Sequence, residues 1–390
     1  MTATTSPVTF TGIIDVDTHI TEPPTTWSDR MSNKWGDLVP HIANFDGFDY
    51  WFIGDKPYAK PGNTAMAGFN GVLPDGPKTF DEIPDAAYDP VARLAHMDAN
   101  GVAAHVLYPN LGGFGAGAWL DHGEPAFALD AVRAYNDFQT DFASVAPDRL
   151  LPITSLPFWD VDASVDEIER CVAAGHRGIN FCNAPEKYGQ PRLWAKHWDP
   201  IWSAARDCGV PVNFHIGGGR IGEEFAFGGE MGWRANFSRI SSQIFMDNLS
   251  CITDLIHGGV CHRFPEVDFV SVESGVGYLP SALEGMDWQW RNGGVREEHP
   301  EYELLPSEYF RRQIYGCFWY EHEMLTSALL AYPENMMFES DYPHPTCQHP
   351  GPATPAPGVQ PYLATALSDV PTEVRDNVIH NTAARLYRVA

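Results

Sequence analysis

Short apolar runs recur along this chain, and most are followed by a longer stretch whose apolar positions fall at helical spacing. Residues 13–17, 102–108, 151–156, 178–181, 211–215, 267–272, 313–317 and 336–340 read as strands, rich in Val, Ile and Phe and bounded by Gly, Pro or Asn. Residues 88–100, 125–146, 161–174, 197–208, 279–291 and 374–387 read as helices, and 237–258 as mostly helix. Strand followed by helix, repeated about eight times, predicts a parallel sheet closed on itself, a (β/α)8 TIM barrel. Residues 23–90 break the rhythm with Pro, Gly and many aromatics, among them Trp27, Trp35, Trp51 and Phe69. They read as a long irregular insertion after the first strand, too aromatic to be disordered. A bare barrel needs about 250 residues, so 390 residues accommodate one barrel domain over 1–390 with 23–90 as an inserted cap.

In such a barrel, chemistry sits at the C-terminal ends of the strands. The first strand ends in Asp15-Val-Asp17-Thr-His19, and alternation along a strand predicts that Asp15, Asp17 and His19 share one face. His215 ends the fifth strand before three glycines, Glu273 ends the sixth, and Asp341 ends the eighth in Ser340-Asp-Tyr-Pro-His-Pro345. Two imidazoles and two or three carboxylates at one mouth suit a divalent metal, Zn²⁺ first and Mn²⁺ second. The expected ligands are Asp17, His19, His215 and Asp341, with Asp15 either a ligand or a hydrogen-bonded support. Each has a plainer reading: a turn or cap for Asp17, His19 and Asp341, and a core histidine for His215. Glu273 is either an acid/base or a structural carboxylate paired with an Arg. His344 either orients or contacts substrate, or is a loop residue. Arg220 either binds a substrate carboxylate or pairs at the surface with Glu223 or Glu224.

Charge and cysteine content narrow the setting. The formal charge of −26 argues against nucleic acid and anionic membrane surfaces as partners, though not against a small anionic substrate. Seven scattered cysteines with no CxxC pair argue against a disulfide framework and for a reducing, cytoplasmic setting. The first residues carry no secretory pattern, and no apolar run approaches the ~20 residues needed to span a bilayer.

These strand-end residues, in this order, resemble the amidohydrolase superfamily, specifically its amidohydrolase-2 branch. Further matching stretches are Leu94–Val102, Trp198-Asp-Pro-Ile-Trp202, Arg263-Phe-Pro265 and Asn381–Tyr387. That branch includes aminocarboxymuconate-semialdehyde decarboxylase, γ-resorcylate decarboxylase and related hydrolases. The resemblance implies a barrel enzyme with a divalent metal and a small-molecule substrate, and it admits a homo-oligomer. Two departures stand out. Asp17 replaces the first His of the family's H-x-H, and Glu273 stands where the decarboxylases carry a catalytic His. His257, in Ile-His-Gly-Gly, is placed on the preceding helix end rather than at strand six. The leading expectation is metal-dependent hydrolysis, with Glu273 or Asp341 moving the proton of an activated water and an apolar or aromatic substrate suggested by the insertion. The alternative is non-oxidative decarboxylation of an aromatic or unsaturated acid. A third reading is a non-catalytic ligand-binding barrel.

Overall fold

A computed structural model describes residues 9–219 and 230–390. Strand β1 (Ile13–His19) opens the barrel, followed by a separate meander of β2 (His41–Phe45), β3 (Phe48–Ile53) and β4 (Lys56–Ala59). The other seven barrel strands are β5 (Val102–Tyr108), β6 (Leu150–Ser155), β7 (Gly178–Asn180), β8 (Val212–His215), β9 (Phe269–Val272), β10 (Ile314–Phe318) and β11 (Met336–Phe338). They pair in parallel in the order β1-β5-β6-β7-β8-β9-β10-β11. The ring closes just beyond β11, where Thr18 bridges Tyr342. There the Asp341 N–H donates to the Asp17 carbonyl (3.0 Å) and the His19 N–H to the Tyr342 carbonyl (2.7 Å). The eight predicted strands therefore form the (β/α)8 barrel.

The barrel is packed inside and out. Ile14, Val16, Ala104, Val106, Tyr108, Ile153 and Val272 belong to one buried cluster that also holds Leu386 and Tyr387 of the C-terminal helix. That helix closes the barrel floor, and the Tyr387 hydroxyl donates to Asn213 Oδ1 of β8 (2.7 Å). The outer layer shows ordinary helix grammar. Helix α1 (Pro90–Asn100) is capped by the Asp89 side chain, starts with Pro and stops at Gly101 with φ 72°. Helix α2 (Pro125–Ala143) buries Phe127, Ala131, Tyr135, Phe138 and Phe142 at helical spacing.

One expectation gains detail and another needs correction. Residues 237–258 are mostly helix, as expected, but in two pieces: a helix over Trp233–Ile244 and another over Asp247–His257, with Phe245 at the break stacked against Tyr320. The apolar period runs through the break, so periodicity does not reveal it. His257 does lie at the end of the second of these helices. The insertion is also more regular than its composition suggests. Asp46-Gly47, both at positive φ, join β2 to β3, and Gly54-Asp55 join β3 to β4. These are two-residue hairpin turns of the kind Asp-Gly and Gly-X favour, a signal the aromatic and proline content obscured.

The insertion is fastened to the barrel by Trp27, which is fully buried and donates its Nε1–H to the Ala131 carbonyl of α2 (3.0 Å). Its ring meets Trp51 of β3 edge-on at 5.1 Å. Trp27→Ala should cost about 3–5 kcal/mol, seen as a clear drop in the denaturation midpoint. An unchanged midpoint would show that the insertion does not depend on this anchor.

Candidate metal centre

The first strand does not keep the simple alternation expected of it. Asp15 pairs with His105, but Thr18 pairs with Leu107, so three steps on β1 oppose two on β5. This β-bulge changes the phase of the strand, as bulges near active sites do. Asp15 is turned toward the helix layer, where Oδ2 lies 3.8 Å from His105 Nε2 and Oδ1 accepts the Ser340 N–H (2.9 Å). Asp17 and His19 are turned to the barrel mouth. The three residues do not share a face. His105 in turn meets the buried Arg93 of α1, whose Nη2 donates to the His19 carbonyl (2.7 Å).

At the mouth the fold brings together Asp17, His19, His215, Glu273 and Asp341. His19 Nε2 lies 3.4 Å from Asp17 Oδ1 and 3.6 Å from Asp341 Oδ1. His215 Nε2 lies 3.5 Å from Asp17 Oδ2 and 3.5 Å from Glu273 Oε2. The other ring nitrogens are already engaged: Nδ1 of His19 faces the Pro109 carbonyl (3.0 Å) and Nδ1 of His215 the Ile216 carbonyl (2.8 Å). A carbonyl can only accept, so each Nδ1 carries the hydrogen and each neutral ring presents a bare Nε2 to the centre. The two Nε2 atoms are 3.2 Å apart. Two lone pairs at that distance repel unless positive charge lies between them. Both oxygens of Asp17 are buried beside them without a hydrogen-bond donor. Bare imidazole nitrogens and a carboxylate lacking a donor are the donor set of a divalent metal site, and the residues present fit one.

The electrostatics agree. Burial lowers His19 well below its usual range, whereas at His215 burial is outweighed by the Asp17 and Asp341 carboxylates and the pKa is raised. The cluster thus draws positive charge to His215. Burial pushes Glu273 well above the usual carboxylate range, with Asp341 and Asp17 adding to it. Glu273 and Asp341 both hold left-handed backbone (φ 56° and 58°), a strained conformation for residues with a Cβ that clusters at functional sites. Glu273 is held there by Glu339, whose Oε2 accepts its N–H (3.1 Å). Among the described residues no Arg pairs with Glu273.

His344 stacks on His19 at 3.7 Å. Its Nδ1 lies 2.7 Å from Asp341 Oδ1 and its Nε2 2.7 Å from Asn110 Oδ1. It stands beside His19 and Asp341 with both ring nitrogens facing oxygen atoms. Asn110 is itself fixed by the Ile20 carbonyl and by Glu22, which accepts the Asn110 and Leu111 N–H groups (2.8 and 2.9 Å). Arg220 lies outside the described residues. Glu339, Arg93, Asn110 and Glu22 were not singled out from sequence. Glu339 leaves a trace there, an acid ending an apolar strand, but an Arg on a helix and an Asn after a Pro leave none.

A cavity of about 220 Å³ opens onto Glu273, Asp341 and His344. Its other walls are mainly apolar, including Leu73 from the insertion and Phe114, whose ring lies 4.2 Å from that of His215.

A profile of the amidohydrolase family matches residues 14–389. The chain is 23% identical over 347 residues to 2-amino-3-carboxymuconate-6-semialdehyde decarboxylase of Dictyostelium discoideum, covering 85% of this chain and 82% of that protein. It is 29% identical over 131 residues to γ-resorcylate decarboxylase of Rhizobium sp. (strain MTP-10005), covering 32% and 37% of the two chains. Among solved structures, an amidohydrolase of Mycobacterium avium subsp. paratuberculosis K-10 superposes with a TM-score of 0.75 at 20% identity, over 97% of this chain and 100% of that one. A dihydroxybenzoic acid decarboxylase of Polaromonas sp. JS666, solved with bound manganese, superposes with a TM-score of 0.62 at 17% identity, over 97% and 98%. Among the described residues no helix is long and apolar enough to cross a membrane.

Two predictions follow from the bulge. Elemental analysis of metal-replete protein should find about one divalent ion per chain, lost in Asp17→Asn and His215→Ala but kept in Asp15→Asn. Metal retained in His215→Ala would show that these residues are not the ligands. The second concerns pH. Burial pushes Asp15 from 3.8 up to about 8. An acid raised on folding stabilises fully below its unfolded pKa and loses that contribution as pH rises to the folded one. Between about pH 4 and 8 this slope is up to ~1.4 kcal/mol per unit. Asp15→Asn should therefore gain stability relative to wild type between pH 5 and pH 8 in denaturant titrations. A constant difference would contradict a neutral Asp15.

Proposed function

The chain belongs to the amidohydrolase family, and on that premise we propose that it is a metal-dependent carboxy-lyase, releasing CO₂ without oxidation from an aromatic or unsaturated acid. The observation that carries this reading is Glu273. It is a buried carboxyl on the cavity wall, 3.5 Å from His215, with burial the largest cause of its raised pKa. That shift favours its protonated form in a centre otherwise built of acceptors, as a general acid requires. Two relatives named for decarboxylation support the same reading.

A divalent ion held by Asp17, His19, His215 and Asp341 would supply Lewis-acid attraction for the substrate's oxygens, with Zn²⁺ or Mn²⁺ suited to the mixed donors. The chain's own residues do the rest. Glu273 gives its proton to the carbon bearing the carboxylate, a π pair of the substrate forming the new C–H bond. The bond to the carboxylate carbon then breaks, its pair restores the π system, and CO₂ leaves. Glu273 remains as a carboxylate, and solvent entering as the product leaves returns its proton. His344 holds Asp341 in place, while Phe114 and Leu73 keep water from the reacting carbon. Hydrolysis would ask Glu273 to act unprotonated, as a base, and burial opposes that.

The test is CO₂ release by metal-loaded protein from a panel of hydroxybenzoates and unsaturated dicarboxylic acids. Glu273→Gln should keep its metal and lose about 10²–10⁴ in kcat. Turnover of esters, lactones or amides with no CO₂ from any acid would overturn the proposal in favour of hydrolysis.

A further inference from the structure

The cavity over the metal centre does not stand alone. A second cavity of about 240 Å³ adjoins it, and the two share Leu73, Phe237, Pro345 and Thr346 as wall. Each alone falls short of the ~300–1,000 Å³ of sites that enclose a drug-sized ligand, and a ligand reaching past the four shared residues into both would have a volume within it. Both linings are mainly apolar, and they differ at their ends. The inner lobe ends on Glu273, Asp341 and His344, and Thr346 donates its hydroxyl to Asp341 Oδ2 (2.9 Å). The outer lobe is walled by Met66, Phe69, Val72, Trp233 and Ala353. Arg234, the one cation among the described residues that line it, lies 3.4 Å from Asp75, both well exposed to solvent. The insertion, which forms part of this wall, is tied down at the site itself, the Met66 and Ala67 N–H groups donating to the Pro343 carbonyl (2.8 and 3.1 Å). Met66 and Leu73 are buried with it.

A polar floor at one end of otherwise mainly apolar walls selects a molecule with one polar end and an apolar remainder. We infer that the substrate is an amphiphilic aromatic acid, its carboxylated ring in the inner lobe and an alkyl or aryl arm extending past Leu73 and Phe237 into the outer one. The carboxyl end rests on the decarboxylase reading above; the arm does not. A single unsubstituted ring would leave the outer apolar walls in water. An arm of several methylenes removes them from it, each buried methylene strengthening binding severalfold. The outer wall is thus a specificity device for the arm, built jointly by the insertion and by the segments that follow β8 and β11.

Calorimetric titration of metal-loaded protein with four probes tests this: 2-hydroxybenzoate, 4-hexyl-2-hydroxybenzoate, resorcinol and 4-hexylresorcinol. The readout is the ratio of affinities with and without the arm. In the wild type the arm should tighten binding about tenfold or more. In Val72→Trp and in Ala353→Trp, two independent fillings of the outer lobe, the ratio should fall to about threefold or less. A ratio near one in the wild type, failure of all four probes to bind, or a ratio unchanged in both variants would overturn the inference. The resorcinol pair carries no carboxylate, which separates the two readings. An arm effect there with no benzoate binding keeps the outer lobe and sinks the decarboxylase. CO₂ release from benzoates with no arm effect does the reverse.

Discussion

The closing seam of the barrel is the constraint on which the rest of this molecule depends. Seven of the eight junctions are strand ladders, but the eighth is made by the segment after β11, through Asp341, Tyr342 and the carbonyl of Asp17. The bonds that shut the ring are therefore the same bonds that set Asp341 beside Asp17 and His19. Backbone closure leaves little freedom at the seam, so the side chains on it inherit the rigidity of the barrel. A site built on such elements holds its geometry better than one built on loops.

That rigidity holds charge that would otherwise disperse. Asp17, Glu273, Glu339 and Asp341 are all buried within a few residues of one another in space. Water would solvate each of these carboxylates separately; the barrel denies them that and confines them around two bare imidazole nitrogens. Burial of like charge is costly unless a proton or a cation shares it. The electrostatics lean both ways, the neighbouring carboxylates raising the pKa of His215 and burial raising that of Glu273. The left-handed backbone at Glu273 and Asp341 is a further cost borne at the same place. Support comes from behind, where Asp15 holds the backbone of Ser340, Arg93 the carbonyl of His19 and Glu339 the N–H of Glu273.

The insertion divides the labour differently. Its Trp27 and Trp51 belong to the core and make it part of the barrel's outer packing. Its residues 63–73 reach over the mouth instead, so one segment supplies both an anchor and a wall. A polar floor contributed by strand ends and an apolar wall contributed by the insertion together with the segments after β8 and β11 is a division that lets the chemistry stay constant while the ligand's outer part varies.

The strand ends were legible because each chemical residue closes an apolar run, and runs of that length have few other uses in a barrel. Asp17, His19, His215, Glu273 and Asp341 all stand where that pattern places them. The Asp46-Gly47 hairpin was also written in the chain, beneath a composition that suggested irregularity. Other features had no local signal. The bulge that turns Asp15 outward depends on how β1 registers against β5, and register is a property of two strands rather than one. Arg93, Asn110 and Glu22 act through backbone groups far away in sequence. The sequence by itself determined the order of elements and the kinds of donor at each strand end, since periodicity and residue chemistry are local. Which of those donors face one another, and what wall covers them, was decided only by closure of the ring and the return of the insertion over it, because only tertiary packing brings residue 17 to residue 341.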